Sequence, residues 1–405
     1  MSSDYDDMVP RETAVERVLD LREAALETQP VETMPLDAVA GRTLAEDVVA
    51  RADSPPASHA TMDGFAFDAT DPYPLTLLGE ETYPEDDPPT LAPGEAVRIA
   101  TGAPLPAEAN AVVKQEDATV EDGLLRAVDV DPGTYTYERG SNVREGETLI
   151  EAGERLAPRD TLLLGDVGVD SLSVHAPFSV GLLATGTEIH EGRQSDLDSP
   201  MLTGLVRAWG HEVTYEGSVP DDYETVRDRI ADLAAAHDVV MTTGGTSVGR
   251  KDHVVRALAE LGDVAFHRVP IRPGKPIAFA HLPDEDAVAV AVPGKPIGAH
   301  TVATLVARPF FVGETPLPSV PATFAFDLGL GPTGFEYVIP VTLDGGVATP
   351  MGHVESPLSV YEETFDPSVL SSSTRASRAD GFVVTEDPLD AGQTVDVVPY
   401  DVVER

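Results

Sequence analysis

Asp238-Val-Val-Met-Thr-Thr-Gly-Gly-Thr-Ser-Val-Gly249 joins an apolar run to a loop of hydroxyls and glycines. Asp238 to Thr242 reads as a strand, and the residues from about Lys251 to Leu261 read as a helix. A glycine-rich turn between the two lets backbone N–H groups and hydroxyls converge on an anion at the helix N-terminus. Gly244 and Gly249 have the separation of a Walker A loop, but Arg250 stands at the lysine position and Lys251 comes one residue late. A dinucleotide G-x-G-x-x-G is also absent. The plainer alternative is a tight strand-to-helix turn. Asp252, just beyond, can hold a divalent cation or simply interact with the helix dipole.

The same alternation extends on both sides. Ser179 to Ala184, His211 to Tyr215 and Asp238 to Thr242 read as strands, and Pro200 to Trp209 and Asp222 to Ala236 as helices. Short-spaced alternation predicts a parallel sheet wrapped by helices, which binds ligands at the carboxyl ends of its strands. One such end is Ala184-Thr-Gly-Thr-Glu-Ile189, where Glu188 is either a cation ligand or a solvated loop acid. Asp198-Ser-Pro200 reads as an N-cap followed by proline at the first helical position, and Asp221 with Glu224 as another cap. The string Pro-Gly-Lys-Pro-Ile occurs twice, at 273–277 and 293–297, each copy beside an apolar run. Turns of this kind can hold Lys275 and Lys295 against a phosphate or oxyanion; ordinary turn chemistry is the alternative.

Composition gives those lysines weight. The 405 residues hold 70 Asp+Glu against 27 Lys+Arg, a formal charge of −43. Only 4 cations are lysine, and Lys251, Lys275 and Lys295 fall in one domain, which with Arg250 and Arg272 predicts a local basic pocket. The charge argues against nucleic acid and anionic membranes as partners. It fits an acidic coat suited to a salt-rich cytoplasm, as in a salt-in halophile. Without cysteine there is no disulfide, thiol nucleophile or Cys metal site. No apolar run approaches the ~18 residues of a membrane span, and Met1 to Pro10 is acidic where a signal peptide is basic, so a cytoplasmic location is expected. The histidines show no metal spacing.

The flanks differ in texture. Thr13 to Thr28 has helical apolar spacing, with Thr13 and Glu16 in a capping-box pattern, and Pro35 to Gly41 suggests a second short helix. Residues 51–141 are rich in Pro, Gly and Thr with short apolar runs, as in a small β domain. After Pro316 the runs FEYVIPVTL, GFVVTEDPL and GQTVDVVPY predict a small β-barrel or sandwich. Asp63 in TMDGFA and Thr101 in RIATGAP each read locally as turn residues.

Taken in order, TMDGFA, RIATGAP with AVVKQED, GSNVREGE, ATGTEI, TTGGTSVGRKD, RPGKP and VPGKP resemble the motifs of the molybdopterin molybdenumtransferases, the MoeA and gephyrin E-domain family. The match runs from Ala38 to Val383. The resemblance implies an elongated multidomain α/β plus β protein: a linking domain of 1–50 and 142–176, a β-rich domain of 51–141, a three-layer α/β molybdopterin-binding domain of 177–313 and a C-terminal β-barrel of 314–405. It implies a homodimer whose active sites are shared, with Asp63 and Thr101 of one subunit facing the α/β domain of the other. The implied reaction inserts molybdate into adenylylated molybdopterin and releases AMP. Catalytic roles carry over to Asp63, Thr101, Glu188, Asp252 and Lys275. Substrate binding carries over to Thr185, Gly186, Gly244, Gly245, Thr246, Ser247, Gly249, Arg272, Gly274, Pro293, Gly294, Lys295 and Pro296. Magnesium would be held by Asp63, Glu188 and Asp252.

Three departures from the family pattern stand out. Thr187 replaces the aspartate of T-G-D-E, Pro200 the asparagine of D-[ST]-N, and Lys295 and Gly298 the amide and hydroxyl of P-G-N-P-x-S. Loss of a carboxylate and gain of an ammonium raise the question of a paralogue preferring tungstate, or of one that only binds pterin. The α/β region alone also resembles the molybdopterin adenylyltransferases, which perform the preceding step and are a plausible partner. The flanking TMDGFA and RIATGAP motifs argue against that reading.

Overall fold

The computed structural model describes residues 8–245, 252–356 and 358–405. The first helix, α1 (Arg11–Thr28), begins earlier than the capping-box reading placed it. Pro10 is its N-cap and makes no side-chain cap, so Thr13 lies inside the first turn. Its apolar face, with Ala14, Val18 and Leu26, is buried with Phe310 and Phe311 of the α/β region. The expected second helix is only a 3-10 turn over Leu36–Ala38. Val31–Pro35 pairs antiparallel with Ser171–His175, and Val48–Val49 with Thr148–Ile150, so the chain leaves this linking region and returns to it.

Between these passages lies a six-stranded sheet in the order 111–114, 64–67, 95–99, 75–82, 124–127, 118–121. The α/β region follows, with β1 (Ser179–Thr185), α2 (Asp198–Ala208), β2 (Glu212–Val219), α3 (Tyr223–Ala234), β3 (Val239–Thr243), α4 (His253–Leu261), β4 (Asp263–His267), β5 (Ala278–Leu282), β6 (Ala287–Val292) and α5 (Pro296–Val302). Its sheet runs β2-β1-β3-β6-β5-β4. The first four are parallel, and β5 is antiparallel to both neighbours. Every residue of β3 and β6 is buried, as expected of strands covered by helices on both faces.

The C-terminal strands 320–324, 336–344, 347–350, 381–385 and 394–399 close on themselves, because 336–344 pairs with both 347–350 and 381–385. The tail is therefore a five-stranded barrel rather than an open sandwich. Ile271–Arg272 pairs with Glu336–Tyr337, which ties the turn ahead of β5 to the barrel. Among the described residues no helix is long and apolar enough to cross a membrane.

Candidate active site

Register brings three turns together. In the sheet Ala184 is opposite Thr243, and Thr243 is opposite Val292, so β1, β3 and β6 end side by side. Each is followed by a glycine turn, at Gly186, Gly244-Gly245 and Pro293-Gly294. The Thr185 hydroxyl donates to the Thr243 carbonyl at 3.2 Å, and the Gly244 N–H to the Val292 carbonyl at 3.1 Å. Gly244 has φ of +86°, and a Cβ there would lie 2.4 Å from the Thr185 carbonyl oxygen. A Cβ at Gly294 would lie 3.1 Å from the Gly244 Cα. Three main chains thus run in contact with little side chain between them, and this close approach is why glycine is required at the strand ends.

These turns form the floor of a cleft of about 530 Å³. Thr185, Gly186, Glu188, Gly244, Gly245, Pro293, Gly294, Lys295 and Pro296 all line it. The C-terminal barrel contributes Ser372, and its short helix Pro367–Leu370 receives the Lys295 ammonium, which donates to the Ser368 carbonyl at 3.2 Å. Arg272 does not reach the lining; its guanidinium lies 3.9 Å from the Phe335 ring centre, on the barrel. Gly274 and Lys275 belong to the turn beneath, from which Pro276 reaches the cleft. Lys275 is half-buried, and its carbonyl accepts from the N–H groups of Val269 and Ile277. Thr246, Ser247 and Gly249, with Arg250 and Lys251, lie outside the described residues. The expected basic pocket is therefore not found in the described part. Among the described residues the cleft lining has Lys295 as its one cation with four carboxylates, Glu188, Asp196, Asp198 and Asp221.

Two of those acids were read as helix caps. Asp198 begins α2 but caps nothing. It is 7% exposed, and one of its oxygens accepts from the Thr243 hydroxyl at 3.1 Å. Its other oxygen is buried without a partner among the described residues. Burial pushes its carboxyl up to about 6, against the Thr243 hydrogen bond and helped by the charge of Asp196. Asp196 takes over the turn by accepting from the Ser199 N–H at 3.0 Å. Asp222, not Asp221, caps α3. Asp221 instead pairs with Thr187, donating its N–H to the Thr187 hydroxyl at 3.0 Å. The sequence alone gives no sign of this, because a cap and a cleft acid share the same Asp-x-x pattern.

Asp252 does cap α4, accepting from the Val255 N–H at 3.3 Å, and has His267 Nε2 3.7 Å away. Burial raises its carboxyl above the ordinary range. Asp63 and Thr101 meet in the β-rich sheet, where Gly64 is opposite Ile99. One Asp63 oxygen accepts both the N–H and the hydroxyl of Thr101, each at 2.7 Å, and these bonds lower the Asp63 carboxyl. Both residues are exposed and neither lines the cleft of their own chain. Among the described residues no three His, Asp or Glu side chains stand together as a metal-binding group.

Two family models match this chain, the MoeA N-terminal region (domain I and II) over residues 9–168 and a probable molybdopterin binding domain over 181–312. A molybdopterin molybdenumtransferase of Synechococcus elongatus is 33% identical over 314 residues, 72% of this chain and 77% of that protein. The chain belongs to the MoeA family. Another relative, the molybdopterin molybdenumtransferase of Haemophilus influenzae, is 30% identical over 66% of this chain and 69% of its own length. A solved molybdopterin biosynthesis MoeA protein from Pyrococcus horikosii covers 97% of this chain and 99% of its own, with 28% identity and a TM-score of 0.66.

Against the MoeA pattern, the Thr187 departure is partly offset, because Asp221 places a carboxylate on the cleft beside Thr187. Lys295 spends its charge at the barrel edge, on the Ser368 carbonyl and beside Asp366, whose carboxyl it helps to lower. A Cβ at Gly298 would meet Gly274 and Pro293 at ordinary contact distance, 3.7 Å.

Proposed function

We propose that this protein inserts molybdate into adenylylated molybdopterin and releases AMP, with the chemistry in the cleft at the ends of β1, β3 and β6. As a MoeA-type molybdopterin molybdenumtransferase, it acts in molybdenum cofactor biosynthesis. The observation that carries the fuller reading is the glycine floor. Gly244 and Gly294 let three main chains meet without side chains between them, and the floor they form lies at the carboxyl ends of parallel strands, where phosphate oxygens would be received. Lys275 would offset negative charge as the phosphoanhydride is hydrolysed, and Lys295 would do so at the cleft mouth. The substrate's own dithiolene sulfurs would take the molybdenum, so a chain without cysteine suffices.

Glu188 and Asp252 would hold magnesium together with Asp63 of a second copy, since one chain alone does not bring the three carboxylates together. Bound there, the ion would polarise the anhydride. The Asp63–Thr101 pair, exposed and held by two hydrogen bonds, suits a surface presented to another subunit. Such a homodimer would share its active sites.

Incubation with adenylylated molybdopterin, molybdate and Mg2+ should release AMP and form active cofactor. Absence of molybdate-dependent AMP release would overturn this reading. Formation of the adenylylated adduct from molybdopterin and ATP would favour the adenylyltransferase reading instead. Replacing molybdate by tungstate in the same assay tests whether the substitutions at 187 and 295 alter metal choice.

A further inference from the structure

The largest cavity among those described is not the cleft. About 700 Å³ lies where α1, the linking region and the Gly313–Glu314 junction meet. Its wall holds Arg22, which is 6% exposed and has no carboxylate partner among the described residues. Two of its five donors are used, by Nη2 to the Thr43 hydroxyl at 3.2 Å and to the Gly153 carbonyl at 3.1 Å. Nε is buried and unpartnered. The arginines nearby differ, because the charge of Glu314 acts on both of them. Arg155 lines the same cavity and donates to the carbonyls of Gly41 and Trp209, and Arg308, 5% exposed, forms an ion pair with Glu314 at 3.8 Å.

Buried arginine is rare unless paired, and desolvating a guanidinium without a counter-charge costs several kcal/mol. Burial lowers Arg22 to about 10. The same charges act on two histidines. His211 is pushed down to about 4 by burial and then by Arg155, Arg22 and Arg42; His175, on the cavity wall, is lowered by burial and by Arg22. Glu23, Glu27, Glu154, Asp160 and Glu314 also line the cavity, yet among the described residues none forms an ion pair with Arg22. A chain of charge −43 therefore buries one guanidinium without a counter-charge at the junction of three segments.

We propose that this cavity binds a small inorganic oxyanion of the phosphate or sulfate type, with Arg22 as its principal ligand and Arg155 adding positive charge. A planar guanidinium with free donors suits two oxygens of one anion. Occupancy would tie α1 to the linking region.

Thermal unfolding with inorganic phosphate, against sodium chloride at matched ionic strength, tests the proposal. Phosphate at about ten times its Kd should raise Tm by about 1–2 °C beyond chloride. Arg22→Met should lose that gain and, in equilibrium dialysis with labelled phosphate, bind one phosphate fewer per chain. Equal shifts in chloride would reduce the effect to screening and overturn the proposal. So would phosphate binding that survives Arg22→Met unchanged. Should Arg22→Met not fold, Gly313→Ala tests the same group, because its Cβ would lie 2.9 Å from the guanidinium carbon. Unchanged phosphate binding in that variant would also refute the assignment.

Discussion

Pro273–Ile277 and Pro293–Ile297 are the same five residues in different structures. In the first, Arg272-Pro273 is cis, Gly274 has φ of +120°, and the turn is buried against α5 and the barrel. In the second, Pro293 to Pro296 line the cleft, Lys295 is the N-cap of α5, and Pro296 occupies its first turn. Neither string carries the instruction for its own shape. What differs is the neighbour: the first precedes an antiparallel strand and is gripped by the barrel, while the second leaves a parallel strand and starts a helix at the ligand end of the sheet. The lesson is that a motif repeat in sequence does not imply a repeat in role.

The widest expected gap is in stability. Gly274→Ala puts a methyl 2.5 Å from Val302 Cγ1 at a backbone angle unsuited to a side chain, and should cost about 3 kcal/mol in urea unfolding. Gly294→Ala meets the Gly244 Cα at 3.1 Å and its nitrogen at 3.5 Å and should cost about 1 kcal/mol, its effect falling on AMP release instead. Equal costs would dissolve the comparison.

The lysines should separate next. Lys275→Ala is expected to slow molybdate-dependent AMP release about 100-fold, as for loss of a charge-stabilising group. Lys295→Ala should slow it by less than about tenfold, because its exposed ammonium already has the Ser368 carbonyl as acceptor. Similar losses in steady-state assays would show that the two turns act alike after all.

A last test concerns an acid that lines the cleft together with the second turn. Asp198 is raised to about 6 in the folded protein from 3.8. Between those values the folded state binds more protons than the unfolded one, so this group's contribution to stability is present below about pH 4 and lost as pH rises through 6. Asp198→Asn should remove that loss and be relatively more stable than the parent at pH 7 than at pH 4. Parallel pH–stability curves would show that the carboxyl is not held up.

The sheet was legible because its strands are unbroken apolar runs with glycine turns, a pattern that local sequence encodes directly. The three glycine turns were legible for the same reason, and family resemblance supplied their grouping. Asp198, Asp196 and Asp221 were not, since the carboxylate that caps a helix and the one that lines a cleft differ only in what packs above them. The capping box of Thr13 failed similarly: α1 gains its register from burial of Ala14, Val18 and Leu26 on the α/β core, which outweighs a local cap.

By itself, then, the sequence determined the four parallel strands of a sheet that also carries two antiparallel pairings, the glycine-stripped strand ends and the family, because each depends on neighbours a few residues away or on a fixed order of motifs. Tertiary structure decided what the charges do. It placed Asp63 on Thr101 through strand pairing, sent Arg272 to the barrel, filled the cleft lining with carboxylates and gathered Arg22 and Arg155 around another cavity. Electrostatic roles depend on burial and on partners distant in the chain, and only the packed fold fixes both.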